Sequence, residues 1–208
     1  MEPSHVDLMR KGICIAGALL MVAACESADV GSENVHRAGV PSLFTYAAAD
    51  REMTTVVIGD PFGIDKADFG RAVTDAMQNR NRGARTHFTT TPSDNARPDY
   101  RVLMIFDPVA NPGQRTVCRD AETLETRADD DRVTLRTVFC YRDEALSEAR
   151  TTVFCYRDEA LSEARTTVAK MDGPDEPAFE RVVANNTWRL IPHRDPFLDR
   201  DRCRRKPC

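Results

Sequence analysis

Residues 100–106 read Tyr100-Arg101-Val102-Leu103-Met104-Ile105-Phe106, and every side chain after Arg101 is apolar. The run has strand length, and polar, proline-containing segments bound it on both sides. A continuous apolar strand belongs at the centre of a sheet that is covered on both faces. Upstream, Met53 to Gly59 contains the β-branched run Thr54-Thr55-Val56-Val57-Ile58, a second buried strand that Asp60-Pro61-Phe62-Gly63 breaks. Asp65 is placed to cap the next helix, with Asp68 in its acid-favouring first turn. Phe69, Ala72, Val73, Ala76 and Met77 recur at helical spacing, and Gly83 ends that unit. Thr86, Phe88 and Thr90 alternate with more polar neighbours, which predicts another strand.

Downstream, residues 107–131 read as loop, interrupted by Cys118 and carrying the acids Asp129-Asp130-Asp131. Strand spacing returns at Val133, Leu135, Thr137 and Phe139. Asp175 and Pro177 announce a final helix, a cap followed by an early proline. Phe179, Val182, Val183 and Leu190 give that helix an apolar face. The order is β-α-β-β-β-hairpin-α. It predicts an α/β (α+β) domain over 43–192, a single mixed β-sheet with two main helices packed on it.

Inside that domain, residues 137–151 read TVFCYRDEALSEART, and residues 152–166 repeat the same fifteen letters without a difference. Structural repeats diverge and need about three units to close a core. Two identical copies therefore read as a recent in-frame tandem duplication, or as a sequencing or assembly error, rather than as a solenoid. An odd shift turns every strand residue to the opposite face. One copy is thus expected to keep the native pairing and the other to form an added hairpin or a loop. Asp143 to Ala149 also has helical propensity, so a short helix competes with a turn there.

The N-terminus carries the signal for location. Arg10-Lys11, the apolar run Gly12–Val22 and Val22-Ala23-Ala24-Cys25 have the anatomy of an export signal. The apolar run is shorter than the roughly 20 residues that span a bilayer. Val-Ala-Ala-Cys resembles the lipobox of bacterial lipoproteins. The resemblance implies cleavage before Cys25, acylation of its thiol and a membrane partner reached through the lipid. Residues 1–24 then form the signal peptide, with Met9 as the expected start. Residues 25–42 form a lipidated terminus and flexible tether, and 193–208 a basic tail. Glu26-Ser27 after the cysteine leaves inner or outer membrane open.

A wider resemblance rests on Thr54-Thr55-Val56-Val57-Ile58-Gly59-Asp60-Pro61-Phe62, on Phe69 with Val73-Thr74-Asp75-Ala76-Met77, and on Ala96-Arg97-Pro98-Asp99-Tyr100-Arg101-Val102. These stretches are similar to a small uncharacterised lipoprotein family of proteobacteria, over most of 45–192. More distantly, over about 54–107, they resemble periplasmic lipoproteins of the curli-secretion and penicillin-binding-protein-activator type. The resemblance implies architecture and location and carries no functional residue.

Lysine and arginine number 29 against 33 acids, and the net charge is −4. That balance speaks against nucleic acid as a partner. The cysteines beyond the signal are Cys25, Cys118, Cys140, Cys155, Cys203 and Cys208. Export permits disulfides. Removing one repeat leaves an even number of unacylated thiols, most simply Cys118 with a repeated cysteine and Cys203 with Cys208.

No catalytic signature stands out. His36, His87 and His193 lie in separate segments without ligand spacing, and Cys203 with Cys208 is too few for a closed zinc site. Gly59 to Gly63 lacks the Gly-Lys-Ser/Thr ending of a phosphate loop. No metal and no cofactor are expected. Arg80, Arg82, Arg85, Arg97 and Arg101 form the one suggestive basic group, suited to anionic glycan, phosphate or headgroups. A solvated edge paired with local acids is the plainer reading of such a run. The sequence therefore predicts a non-enzymatic envelope module that binds a periplasmic protein or a cell-wall component. Its rival is an envelope hydrolase with carboxylates drawn from separated segments. A deep pocket with shifted acids would favour the rival, and one exposed apolar or arginine-rich patch would favour binding.

Overall fold

The computed structural model describes residues 35–110, 112–129, 132–154, 171 and 173–193. At its centre β4 (Tyr100–Phe106) pairs in parallel with β2 (Arg51–Ile58) and antiparallel with β5 (Arg132–Tyr141). β3 (Thr86–Thr89) extends the parallel side beyond β2. β6 (Glu144–Phe154) and then the two-residue β1 (Val35–His36) extend the antiparallel side. The result is one mixed sheet of order β1-β6-β5-β4-β2-β3. Val102 to Phe106 are buried throughout, as a central strand covered on both faces requires.

One face carries three helices. α2 (Lys66–Met77) starts where Asp65 accepts hydrogen bonds from the amides of Ala67 and Asp68. It buries Phe69, Val73 and Met77. α4 (Pro177–Leu190) buries Phe179, Val182, Val183 and Leu190. The third helix, α1 (Val40–Ala48), is a correction, because it begins inside the segment expected to be tether. β1 lies there too. Val40, Phe44, Ala47 and Ala48 are buried, a spacing of one helical face that Pro41 and Ser42 disguise as a polar linker. The rings of Phe62, Phe69, Phe106 and Phe179 meet in pairs with centroids 5.0 to 6.0 Å apart. Such pairs contribute about 0.5–1.5 kcal/mol each beyond the area they bury.

The opposite face is covered by the segment expected to be loop. It crosses the sheet as a strap containing α3 (Gln114–Val117) and a 3-10 turn at Ala121–Thr123. Val117, Cys118 and Ala121 pack on Leu103, Ile105 and Val138. Three polar or covalent devices fasten the strap. Cys118 is bonded to Cys140, with Cα atoms 5.9 Å apart. Arg136, 2 % exposed, pairs with Glu148 at 2.8 Å and donates to the Pro112 carbonyl at 2.8 Å. Asp107 closes the near end: its amide donates to the Thr134 carbonyl, and its Oδ1 accepts from the Thr134 amide at 2.6 Å. Beside it, a Cβ at Gly59 would lie 2.5 Å from the Phe106 carbonyl oxygen, so the two strand ends approach only because that residue is glycine.

Two further expectations are corrected. Asp143 to Ala149 is not helical. Arg142-Asp143 form a two-residue connection, and Glu144 onward pairs with β5, where Ala145, Leu146 and Ala149 gain burial that an isolated helix would not. The α4 cap position falls on Glu176 rather than Asp175, and no side chain bonds there.

The first repeat copy supplies the end of β5, the turn and β6 through Thr151. The second adds only Thr152 to Phe154 to β6 among the described residues. The predicted change of face is visible. Thr137 is buried on the helical side, donating to the Met104 sulfur, whereas its counterpart Thr152 meets Thr134 on the strap side.

Candidate interaction surface

At the amino end of β4 the fold gathers three tyrosines from three elements. Tyr46 comes from α1, Tyr100 opens β4 and Tyr141 closes β5. Tyr100 is the hub, with ring centroids 6.1 Å from Tyr46 and 4.9 Å from Tyr141. Phe139 stacks beneath it at 6.0 Å. Tyr46 is 57 % exposed. Burial, reinforced by the neighbouring tyrosines, pushes the Tyr100 hydroxyl above the usual phenol range.

Two arginines frame these rings. The Arg97 guanidinium lies 3.8 Å from the Tyr46 ring centroid, and its Nε donates to the Tyr46 carbonyl at 2.9 Å. That bond satisfies one of the otherwise unmatched carbonyls at the end of α1. Arg142 lies 5.3 Å from the Tyr141 ring and takes both Asp99 oxygens, at 3.1 and 3.3 Å. The hydrogen bond to Asp99 holds its pKa above the ordinary arginine range. Rigid tyrosines held by stacked arginines are the residue types that dominate binding hot spots.

The structure does not bring the five expected arginines together. Arg80 pairs with Glu180 at 2.7 Å. Arg82 lies over Trp188, 4.2 Å from the ring centroid. Arg85 is exposed. Arg101 reaches the strap side, where it donates to the Cys118 carbonyl at 2.5 Å. Only Arg97 joins the tyrosine surface. Tyr46, Asp99, Tyr141 and Arg142 escaped the sequence reading because they sit far apart along the chain. Arg97 was visible as one of the five candidate anion-binding arginines, and Tyr100 only as the first letter of a strand.

Cys118 and Cys140 form the expected bridge. Cys25, Cys155, Cys203 and Cys208 lie outside the described residues, as do Asp130 and Asp131. Asp129 pairs with Arg132 at 2.9 Å. Among the described residues no cluster of three metal-ligating side chains occurs, and no helix is long and apolar enough to cross a membrane. His87 sits exposed on β3 opposite Glu52.

One acid stands apart. Burial pushes the Asp107 carboxyl up to about 6, against the lowering effect of the Thr134 amide. Asp129 pushes the same way and Arg132 opposes it. Its Oδ2 is buried and has no hydrogen-bond partner among the described residues, and its φ of 45° is a conformation aspartate tolerates better than most residues.

No family model matches the chain, and no curated protein matches it. Among solved structures it is similar to the PelC L103M dodecamer from Paraburkholderia phytofirmans, at 11 % identity and a TM-score of 0.41. That match covers 77 % of this chain and 97 % of the other. A likeness at that level carries no argument about function.

Proposed function

We propose that this chain is an envelope lipoprotein, anchored through acylated Cys25 and presenting a binding module to the periplasm. The observation that carries the binding role is the surface that exposed Tyr46 and Arg142 form with half-buried Arg97 and Tyr141 over the buried Tyr100 ring. Its rings are already fixed by stacking and by Asp99, so a partner would order little on docking. The partner is an envelope protein or a cell-wall component. Photo-cross-linking from position 46 in intact cells tests this. A discrete adduct that disappears in Arg97→Ala supports the surface, and the absence of any adduct from positions 46 and 141 refutes it. Cys25→Ser tests the anchor separately: the variant should leave the membrane fraction, and a variant that stays processed and membrane-bound like the parent overturns the lipoprotein reading.

The second reading, an envelope hydrolase, draws support from Asp107 alone, a carboxyl at the carboxyl end of β4 whose pKa burial raises to about 6. It ranks below binding because Oδ1 is already committed to the Thr134 amide. Turnover of cell-wall material that is abolished in Asp107→Asn would reverse that order.

A further inference from the structure

We infer that the outer edge of α4, together with residues 80–85, is a membrane-docking face for the headgroups of an anionic phospholipid bilayer. The inference rests on the reading that Cys25 is acylated. Arg181, Asn185 and Trp188 recur four and then three residues apart on α4, which places them on one side of the helix. Trp188 is 48 % exposed, although the opposite side of the same helix is buried in the core. Arg82 stacks on it, and Arg80 reaches Glu180 one helical stretch earlier. Residues 80–85 therefore run beside α4 and add their charges to it. Residues 80–85 hold three arginines and no acid, and α4 adds Arg181 and Arg189 against Glu180; Asp50 lies beside them, its amide donating to the Arg85 carbonyl. This region is positive on a chain whose net charge is −4.

A tryptophan ring settles at headgroup level, where one end is apolar and the other wet. Guanidinium groups take phosphate oxygens through paired hydrogen bonds. Neither contact need be strong. The nine residues 26–34 between Cys25 and β1 span at most about 30 Å. An acylated chain thus meets its own bilayer at high effective concentration, and a weak second contact is enough to orient the domain.

Trp188 is the only tryptophan, so its fluorescence reports on this face alone. The acylated chain is reconstituted into phosphatidylcholine vesicles, with or without phosphatidylglycerol, that carry brominated acyl chains. With phosphatidylglycerol, Trp188 emission should shift to shorter wavelength and be quenched. The ratio of docked to undocked protein should fall about 30-fold in Arg82→Gln/Arg181→Gln, and about 5-fold in Arg85→Gln, a surface change that leaves the core untouched. A chain that floats with the vesicles but shows no such shift overturns docking and leaves the anchor standing. A chain that does not float counts against Cys25 acylation. Docking is then read from the same signal on adding the anionic vesicles, and silence there overturns it. An equal shift with glycerol phosphate, or with rising protein concentration and no vesicles, also overturns it, in favour of a small anion or a second copy.

Discussion

On one face of the sheet three helices bury Phe44, Phe69, Val73, Phe179 and Val183 against Val102, Met104 and Phe106. On the other, the strap brings only Val117, Cys118 and Ala121, with Leu124 partly buried. The first layer is held by apolar area and ring packing. The second has too little apolar surface to stay by burial alone, and depends on a disulfide, a buried ion pair and a carboxyl. Stability on the helical side should be insensitive to redox state and pH, and stability on the strap side should respond to both.

The largest expected effect tests the helical side. Phe69→Ala removes a ring that touches Phe62, Phe106 and Phe179 and should cost about 3–5 kcal/mol in denaturant melts. A smaller loss than that from opening the strap would reverse the ranking of the two faces.

Next comes the bridge. Cys118 and Cys140 are 22 residues apart, and a loop of that length corresponds to about 3 kcal/mol in the chain-entropy view. Cys118→Ser should lower the melting temperature accordingly and expose residues 108–129 to protease before the helices. Simultaneous cleavage of both layers would show that the faces unfold as one unit.

Asp107 gives the pH arm. Its folded pKa of about 6 lies above the ordinary 3.8, so the folded state keeps the proton over an interval in which the unfolded chain releases it. Stability is therefore greatest below that interval and falls as pH rises through it. Asp107→Asn should raise stability by about 1–2 kcal/mol at neutral pH and add nothing below pH about 4. A variant whose pH profile runs parallel to the parent would remove Asp107 from the strap's fastening.

The helical side was the more legible in the sequence. β4 was bounded to the residue, and the apolar faces of α2 and α4 appeared as helical periods, because local burial patterns write themselves into neighbouring letters. The strap left no period. Its attachments join residues such as Arg136 and Glu148, or Asp107 and Thr134, whose meeting depends on sheet register. α1 was missed for a different reason. It is short, and Pro41, Ser42, Thr45 and exposed Tyr46 interrupt its four buried residues. The tyrosine surface has the same history as the strap, since three strand and helix ends must converge before it exists.

The smallest expected effect concerns the repeat, which belongs to neither face in full. Deleting residues 152–166 joins Thr151 to Thr167-Val168, which can remake the pairs that Thr152 and Val153 form with Thr134 and Val133. The melting free energy should change by less than about 1 kcal/mol, since loop length enters only logarithmically. Failure of the deleted chain to fold would mean that the second copy is built into the core.

β1 has a mechanical meaning. Its two residues pair antiparallel with Glu148 and Ser147, and the Arg37 amide donates to the Leu146 carbonyl. A pull directed outward along the amino-terminal segment would load these few bonds one after another, as in opening a zip, and not all at once. They would yield at low force, while the helices and the remaining strands carried almost none of the load. Their release would pay out residues 35–39, roughly 17 Å of extra reach, so β1 acts as a fuse between the start of the chain and the folded body.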